Sequence, residues 1–331
     1  MLSFENIEQV KGKIFNSLND GEFENLALEL FHFQMENNPI YAPYASLILK
    51  EETPNNILKI PFLPIDFFKK EQLICKGRGI EEIFISSGTK GEQSKHLVSD
   101  VSIYKDSFLK SFELFYGNIS EYCILSLLPN YCEREGSSLI YMADDLMKKS
   151  SHPKSSSYLN DYEKLAETIS QLEKEGQKTI LIGVSYALLD LAEQFPQKLE
   201  HTIIMETGGT KGKRREYLKE ELHKILQNAF SLDNIHSEYG MTELLSQSYS
   251  KGKGIFSSPP WKKILIRDVN DPLTILENNK TGGINVIDLA NIYSCPFIAT
   301  QDLGKTFDDN SFSVLGRFDN SDVRGCNLLV E

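Results

Sequence analysis

TILIGVSYALLDLAEQFPQKLEHTIIMET, residues 179–207, decides the fold class. It opens and closes on apolar runs, TILIGV (179–184) and TIIMET (202–207), each followed by a stretch of helical character. Strands buried on both faces read as near-continuous apolar runs, because neither face meets water. YCILSLL (122–128) is a third such run, with a helix expected near 137–149. Apolar strands alternating with helices predict an α/β fold, mostly parallel sheets covered by helices.

Outward from this centre the texture changes. Phe23, Leu26, Leu30 and Phe33 form one stripe of an amphipathic helix that Asn38-Pro39 ends. KIPFLPIDFFKK (59–70) reads as extended chain lying on an apolar surface. IFIS (83–86) is a strand, and Ser99 is placed to cap a helix over about 100–116 with Phe108, Phe112 and Leu114 inward. SHPKSSS (151–157) reads as a flexible surface loop. After about 260, KILIRD, GINVIDL and FIAT are short strands separated by turns, a smaller β-rich subdomain. The expected organisation is one unit over 1–331: a helical and extended segment (1–75), α/β subdomains (76–260) and a β-rich subdomain (261–331).

The bulk numbers exclude some classes. With 331 residues and 40% hydrophobic composition the chain can bury a sizeable core. A net charge of −12 repels nucleic acid overall, although an anion such as ATP can bind where backbone N–H groups and a few cations converge. No run of 18 apolar residues occurs, so no membrane span is expected, and with no signal-like start the expected location is the cytoplasm. The five cysteines, Cys75, Cys123, Cys132, Cys295 and Cys326, form no CxxC and read as reduced thiols, mostly buried.

Four segments carry the chemistry. ISSGTKGEQSKH (85–96) is expected between a strand and a helix. Gly88 and Gly91 permit tight turning, Ser86, Ser87 and Thr89 offer hydroxyls, and Lys90 and Lys95 offer charge, a composition able to wrap a polyphosphate. The same composition also suits an ordinary polar turn. In EYGMTE (238–243), Tyr239 can stack on a base, Thr242 can reach a phosphate and Glu243 can hold Mg²⁺; a helix N-terminus capped by Thr242 and Glu243 is the plainer alternative. In ATQDLGK (299–305), Asp302 at a strand end can accept both hydroxyls of a ribose, or simply form a turn. In LGRFDNSDVRGCNLL (315–329), Arg317 and Arg324 bracket polar turn residues.

In that order the segments resemble the adenylate-forming superfamily of acyl-CoA synthetases, adenylation domains and luciferases. SSGTKG resembles its phosphate loop SSGTTG, YGMTE its YGxTE motif, TQDLG its TGDL motif, and GRFDNSDVRG its hinge motif. ETGGTKGK (206–213) stands where the superfamily has a Gly-Gly segment along the adenine. IPFLPIDFFK (60–69), NPIYAPY (38–44), METGGTKGKRREY (205–217) and RGCNLL (324–329) are similar to the LuxE-like acyl-protein synthetases, over nearly the whole chain.

The resemblance implies ATP and Mg²⁺ as cofactors and a carboxylic acid, a fatty acid in that family, as substrate. It assigns Ser86, Ser87, Gly88, Thr89, Lys90 and Gly91 to the β- and γ-phosphates, Thr242 to the α-phosphate, and Glu243 to Mg²⁺. Asp302 would hold the ribose, Tyr239, Gly208 and Gly209 would flank the adenine, Gly240 and Met241 would belong to the nucleotide site, and Arg317 would offset charge near the ribose and phosphate. Cys326 matches a cysteine thought to carry the acyl group as a thioester, on its way to a partner such as a reductase or carrier protein. By analogy Tyr131, Ser185 and Tyr186 border the acyl pocket.

The departures are specific. The superfamily's C-terminal domain, with its lysine, is expected to be missing after Gly316, leaving Lys95, Lys305, Arg317 or a partner subunit to substitute. Gln93-Ser94 replaces the loop's usual proline and shifts the loop lysine to Lys95. Two other readings compete: an acyl-CoA ligase of the phenylacetate type, with Cys326 dispensable, and a non-catalytic adenylate-binding protein.

Overall fold

The structure, a computed structural model, describes residues 7–16, 18–50, 52–87, 93–128, 136–208 and 217–318. The chain opens on α1 (Ile7–Ile14), α2 (Asp20–Asn37) and α3 (Tyr41–Leu49). Asn19 starts α2 through a capping box: its Oδ1 accepts from the Glu22 amide at 3.0 Å and its own amide donates to Glu22 Oε2 at 2.9 Å. Phe23, Leu26, Leu30 and Phe33 are the buried stripe, as their spacing predicts. Asn38 ends α2, but it also begins α3, accepting from the amides of Ile40 and Tyr41 at 3.0 Å each. Asn38-Pro39 by itself predicts a helix end, not the new helix α3.

The proline-punctuated stretch supplies β1 (Leu63–Pro64) and the single turn α4 (Phe67–Lys70). Two strands follow, β2 (Glu82–Ile85) and β3 (Lys95–Val98), paired antiparallel with Ile85 opposite Lys95. The Ser/Thr/Gly loop therefore joins two strands, not a strand and a helix. α5 (Val101–Tyr116) is capped by Asp100, which accepts from the Ser102 amide at 3.0 Å, rather than by Ser99. Leu114 is exposed, contrary to expectation. At ~100° per residue it lies on the opposite side of α5 from buried Phe112.

The centre is a parallel sheet. β4 (Cys123–Leu127), α6 (Ser138–Ser150), β5 (Ser156–Ser157), α7 (Tyr162–Glu175), β6 (Thr179–Val184), α8 (Ser185–Gln194), β7 (Thr202–Thr207), α9 (Lys219–Phe230) and β8 (His236–Tyr239) follow in order. β9 (Ser248–Ser250) closes the sheet, whose order is β5-β4-β6-β7-β8-β9, antiparallel only at β8–β9. Its inner strands β4, β6 and β7 are largely apolar because alternate residues enter two different cores: Ile124, Ile180, Ile182 and Met205 one, Leu125, Leu127, Leu181 and Ile204 the other. SHPKSSS ends in β5 instead of a free loop, and Ser155 Oγ accepts from the Ile124 amide at 2.9 Å.

The second large sheet is β-rich, as the texture after 260 predicts. β10 (Ile255–Phe256), β11 (Lys262–Arg267), β12 (Gly282–Asp288), β13 (Phe297–Thr306) and β14 (Phe312–Arg317) run antiparallel in the order β10-β14-β13-β12-β11, and β1 joins β13 in parallel. Asp302 lies inside the ten-residue β13, not at a strand end. Its alternating burial shows why the polar stretch TQDLGK was misread: Thr300, Asp302 and Gly304 face inward while Gln301, Leu303 and Lys305 are half-exposed.

Candidate nucleotide and acyl site

Parallel α/β sheets bind ligands at the carboxyl ends of their strands. Here β6 ends at Val184, just before Ser185, β7 at Thr207, just before Gly208, and β8 at Tyr239, so these sequence segments lie on that edge. The β-rich sheet meets it through β13. Tyr239 donates its phenol to Asp302 Oδ2 at 2.8 Å, and Arg317 Nε donates to Asp302 Oδ1 at 3.2 Å. The β13–β14 register places Arg317 directly across from Asp302. Two side chains, one of them 63 residues away in sequence, thus converge on one carboxylate.

The environments of the three differ. Burial, followed by the charge of Asp302, pushes the Tyr239 phenol well above its ordinary range, so it remains a donor. Its ring packs on Phe312 at 5.5 Å and Phe256 at 5.9 Å, which makes it a buried support for Asp302. Arg317 is 79% exposed, so its ion pair adds little stability and its guanidinium faces solvent, where a ligand could take it.

Residues 240–246 form the turn that carries Gly240, Met241, Thr242 and Glu243; it is not a helix N-terminus. Glu243 is buried, and burial raises its proton affinity against the lowering effect of a hydrogen bond from Ser94. No described group of three or more His, Cys, Asp or Glu side chains could enclose a metal ion. A single carboxylate supplemented by phosphate oxygens is a common Mg²⁺ set, so Glu243 fits a cation that arrives with a polyphosphate.

The described ends of the Ser/Thr/Gly loop belong to the β2–β3 hairpin. Its neck is closed by the Ser86 amide donating to the Ser94 carbonyl at 3.0 Å and the Ser94 amide donating to Ser86 Oγ at 2.9 Å. Ser87 is half-buried beside the neck and Lys95 is exposed on β3. Gly88, Thr89, Lys90, Gly91, Gly209, Tyr131, Arg324 and Cys326 lie outside the described residues. Cys75 and Cys295 are buried, their thiols pushed up to about 12 by burial, which suits inert core residues.

Ser185, expected beside the acyl pocket, donates its Oγ to the Gly208 carbonyl at 2.7 Å and to Glu206 Oε2 at 3.3 Å. Several other functional candidates escaped the sequence reading. Lys219 pairs with Glu206 Oε1 at 2.8 Å. Burial pushes Glu206 up, but Lys219 and His223 outweigh it and hold the carboxyl at about 2. Glu238 accepts from Thr207 Oγ1 at 2.6 Å and is raised by burial. Lys262 is fully buried, its ammonium lowered by burial to about 8, and it donates to the Ser246 carbonyl at 3.0 Å. One signal was available: Lys262 is in phase with inward Ile264 and Ile266 on an alternating strand. Two open depressions, of about 630 and 640 Å³, lie elsewhere; neither is lined by Thr242, Glu243 or Asp302.

No established family profile matches the sequence, and no curated protein does. Solved structures do match. ATP-bound MatB from Rhodopseudomonas palustris superposes with a TM-score of 0.57 over 73% of this chain and 50% of that one, at 17% identity. A 2-hydroxyisobutyryl-CoA ligase in the postadenylation state superposes with a TM-score of 0.67 over 91% of this chain and 68% of that one, at 8% identity. The fold is that of an adenylate-forming enzyme core. An open conformation of the same ligase, in complex with 2-HIB-AMP and CoA, matches with a TM-score of 0.64 and 9% identity. The chain spans about half the length of the MatB structure. Among the described residues no helix is long and apolar enough to cross a membrane.

Proposed function

We propose that this chain is an ATP-dependent acid–thiol ligase of the LuxE-like acyl-protein synthetase kind. It activates a carboxylic acid, a fatty acid on the strength of the sequence resemblance, to the acyl-adenylate. It then passes the acyl group to a thiol. The observation that carries the reading is the convergence of Tyr239 and Arg317 on the Asp302 carboxylate at the edge of the parallel sheet. The fold supports it, since the MatB structure holds ATP and the 2-hydroxyisobutyryl-CoA ligase structures hold acyl-adenylates.

In the first half-reaction a carboxylate oxygen attacks the α-phosphorus, the bond to the bridging oxygen breaks, and pyrophosphate leaves. The protein's contribution is positioning and charge stabilisation. Asp302 would accept the ribose hydroxyls with Tyr239 fixing its orientation, and Thr242 would contact the α-phosphate. Ser86, Ser87 and the loop residues Gly88, Thr89, Lys90 and Gly91 would surround the β- and γ-phosphates, with Lys95 and Arg317 supplying charge. Gly208, Gly209, Gly240 and Met241 would line the adenine side. Mg²⁺ held at Glu243 would neutralise charge developing on the phosphates.

In the second half-reaction a thiolate attacks the acyl carbon, the carbon–oxygen bond to phosphate breaks, AMP leaves and a thioester forms. Cys326 is the proposed thiol, favoured by nearby Arg324 in sequence, and a partner protein such as a reductase or carrier would receive the acyl group. The second reading takes CoA as the thiol; the CoA-ligase structures that match this fold favour it. Cys326→Ser separates the two. The first predicts intact acid-dependent ATP–pyrophosphate exchange with loss of a hydroxylamine-sensitive acyl adduct. Full adduct formation in the variant, or acyl release only with CoA, would overturn it.

A further inference from the structure

The turn that carries Thr242 and Glu243 is held mainly by side chains from other elements. His96 Nδ1 lies 2.8 Å from the Thr242 carbonyl, and Asn291 Nδ2 donates to the Glu243 carbonyl at 2.8 Å. Two successive carbonyls are thus taken by two side chains, one from β3 and one from the β12–β13 connection. The Leu244 amide closes the turn on the Met241 carbonyl at 3.1 Å, and Asp288 takes the two amides after it, accepting from Leu245 at 2.8 Å and Ser246 at 3.0 Å.

The chemistry fixes the form of His96. A carbonyl only accepts, so Nδ1 carries the hydrogen. Burial holds the imidazole down to about 4 against the opposing effects of Thr242 and Asn291, so it is neutral at pH 7 and Nε2 is a bare acceptor. Nε2 of His96 and Oδ1 of Asn291 are both buried; neither makes a hydrogen bond of ordinary geometry within the described residues, although Asn291 acts on His96 closely enough to raise its proton affinity. A buried polar atom left unmatched costs about 1–3 kcal/mol. Apolar residues would fill this space more stably, which argues that the two side chains serve the carbonyls they hold. His96 also belongs to the hairpin of the Ser/Thr/Gly loop, two residues beyond Ser94, which itself hydrogen-bonds Glu243.

We propose that His96 and Asn291 are positioning residues that fix the Thr242–Glu243 peptide. His96 in particular sets the spacing between the Ser/Thr/Gly loop and the Glu243 carboxylate. The proposal rests on reading Glu243 as the Mg²⁺ carboxylate of an adenylation site.

The experiment compares His96→Leu with His96→Asn in the full chain. Asparagine places an amide nitrogen where the imidazole Nδ1 sits, and leucine fills the same volume without a donor. Calorimetric titration gives the affinity for ATP with and without Mg²⁺ and, separately, the affinity for AMP. Residues that orient metal ligands are worth about 10–100-fold in metal affinity. His96→Leu should therefore lose about tenfold of the Mg²⁺-dependent gain in ATP affinity, and His96→Asn should recover most of it. AMP affinity should stay near wild type in both. A His96→Leu protein that keeps the full gain, a His96→Asn protein no better than it, or a parallel fall in AMP affinity would overturn the positioning role. A wild-type protein that binds neither nucleotide would instead overturn the adenylation reading beneath it.

Discussion

Tyr239 and Asp302, 63 residues apart, are joined by a 2.8 Å hydrogen bond between the end of β8 and the middle of β13. It ties the parallel sheet to the β-rich sheet at the proposed ribose site. Tyr239→Phe keeps the ring contacts with Phe256 and Phe312 but leaves a buried carboxylate oxygen without its donor. The expected cost is about 1–3 kcal/mol in urea unfolding, with AMP affinity reduced about tenfold. Unchanged AMP affinity would remove Asp302 from the ribose site.

Gly240 has no room for a side chain. A Cβ there would lie 2.3 Å from Glu238 Oε1, and Glu238 is tied to Thr207 by a 2.6 Å hydrogen bond. Gly240→Ala should cost about 1–3 kcal/mol through overpacking. It should also displace the turn that carries Thr242 and Glu243, so ATP-dependent activity should fall further than stability alone explains. Thermal unfolding and exchange kinetics on the same preparation check both parts.

The pH dependence follows from His96. Its folded pKa, about 4, lies below the ordinary value of 6.5, so the unfolded chain takes up the proton first. Its contribution is complete above about pH 6.5 and is lost as pH falls toward 4, amounting to roughly 3 kcal/mol. His236, also lowered to about 4 by burial, adds to the same window. Glu206, held at about 2, adds its own loss only below about 4.5. Denaturant unfolding between pH 7 and 4 should show this slope, and His96→Asn should flatten part of it.

Asp288 accepts from the amides of Leu245 and Ser246 and from Ser246 Oγ at 2.6 Å. Asp288→Asn turns one acceptor into a donor facing these donors. A loss of about 2–3 kcal/mol is expected. Exchange activity should drop with it, because the same contacts hold the Thr242–Glu243 turn. A stable Asp288→Asn protein with full activity would show that the turn does not need this anchor.

The parallel sheet was legible because TILIGV, TIIMET and YCILSLL feed alternate side chains to two cores, and that leaves an unbroken apolar run. The turn at 240–246 and its neighbours were legible as motifs, but their contacts were not. His96, Asn291 and Asp288 act on backbone atoms of a turn 42 to 146 residues distant, and no local spacing reports that. β3 was hidden because KHLV is short and directly follows a polar loop. Asp302 was misplaced because an inward polar residue on a half-buried strand looks like a turn. Lys262 could have been found, since a lysine in phase with buried isoleucines signals a buried charge.

Acid-dependent ATP–pyrophosphate exchange tests the central claim most directly. Run over fatty, aryl and short-chain acids, the full chain should exchange label with at least one class only when Mg²⁺ is present, and Asp302→Ala should lose that exchange by about a hundredfold or more. No exchange with any acid, from a protein that still binds AMP, would contradict acyl activation and leave a nucleotide-binding protein in its place.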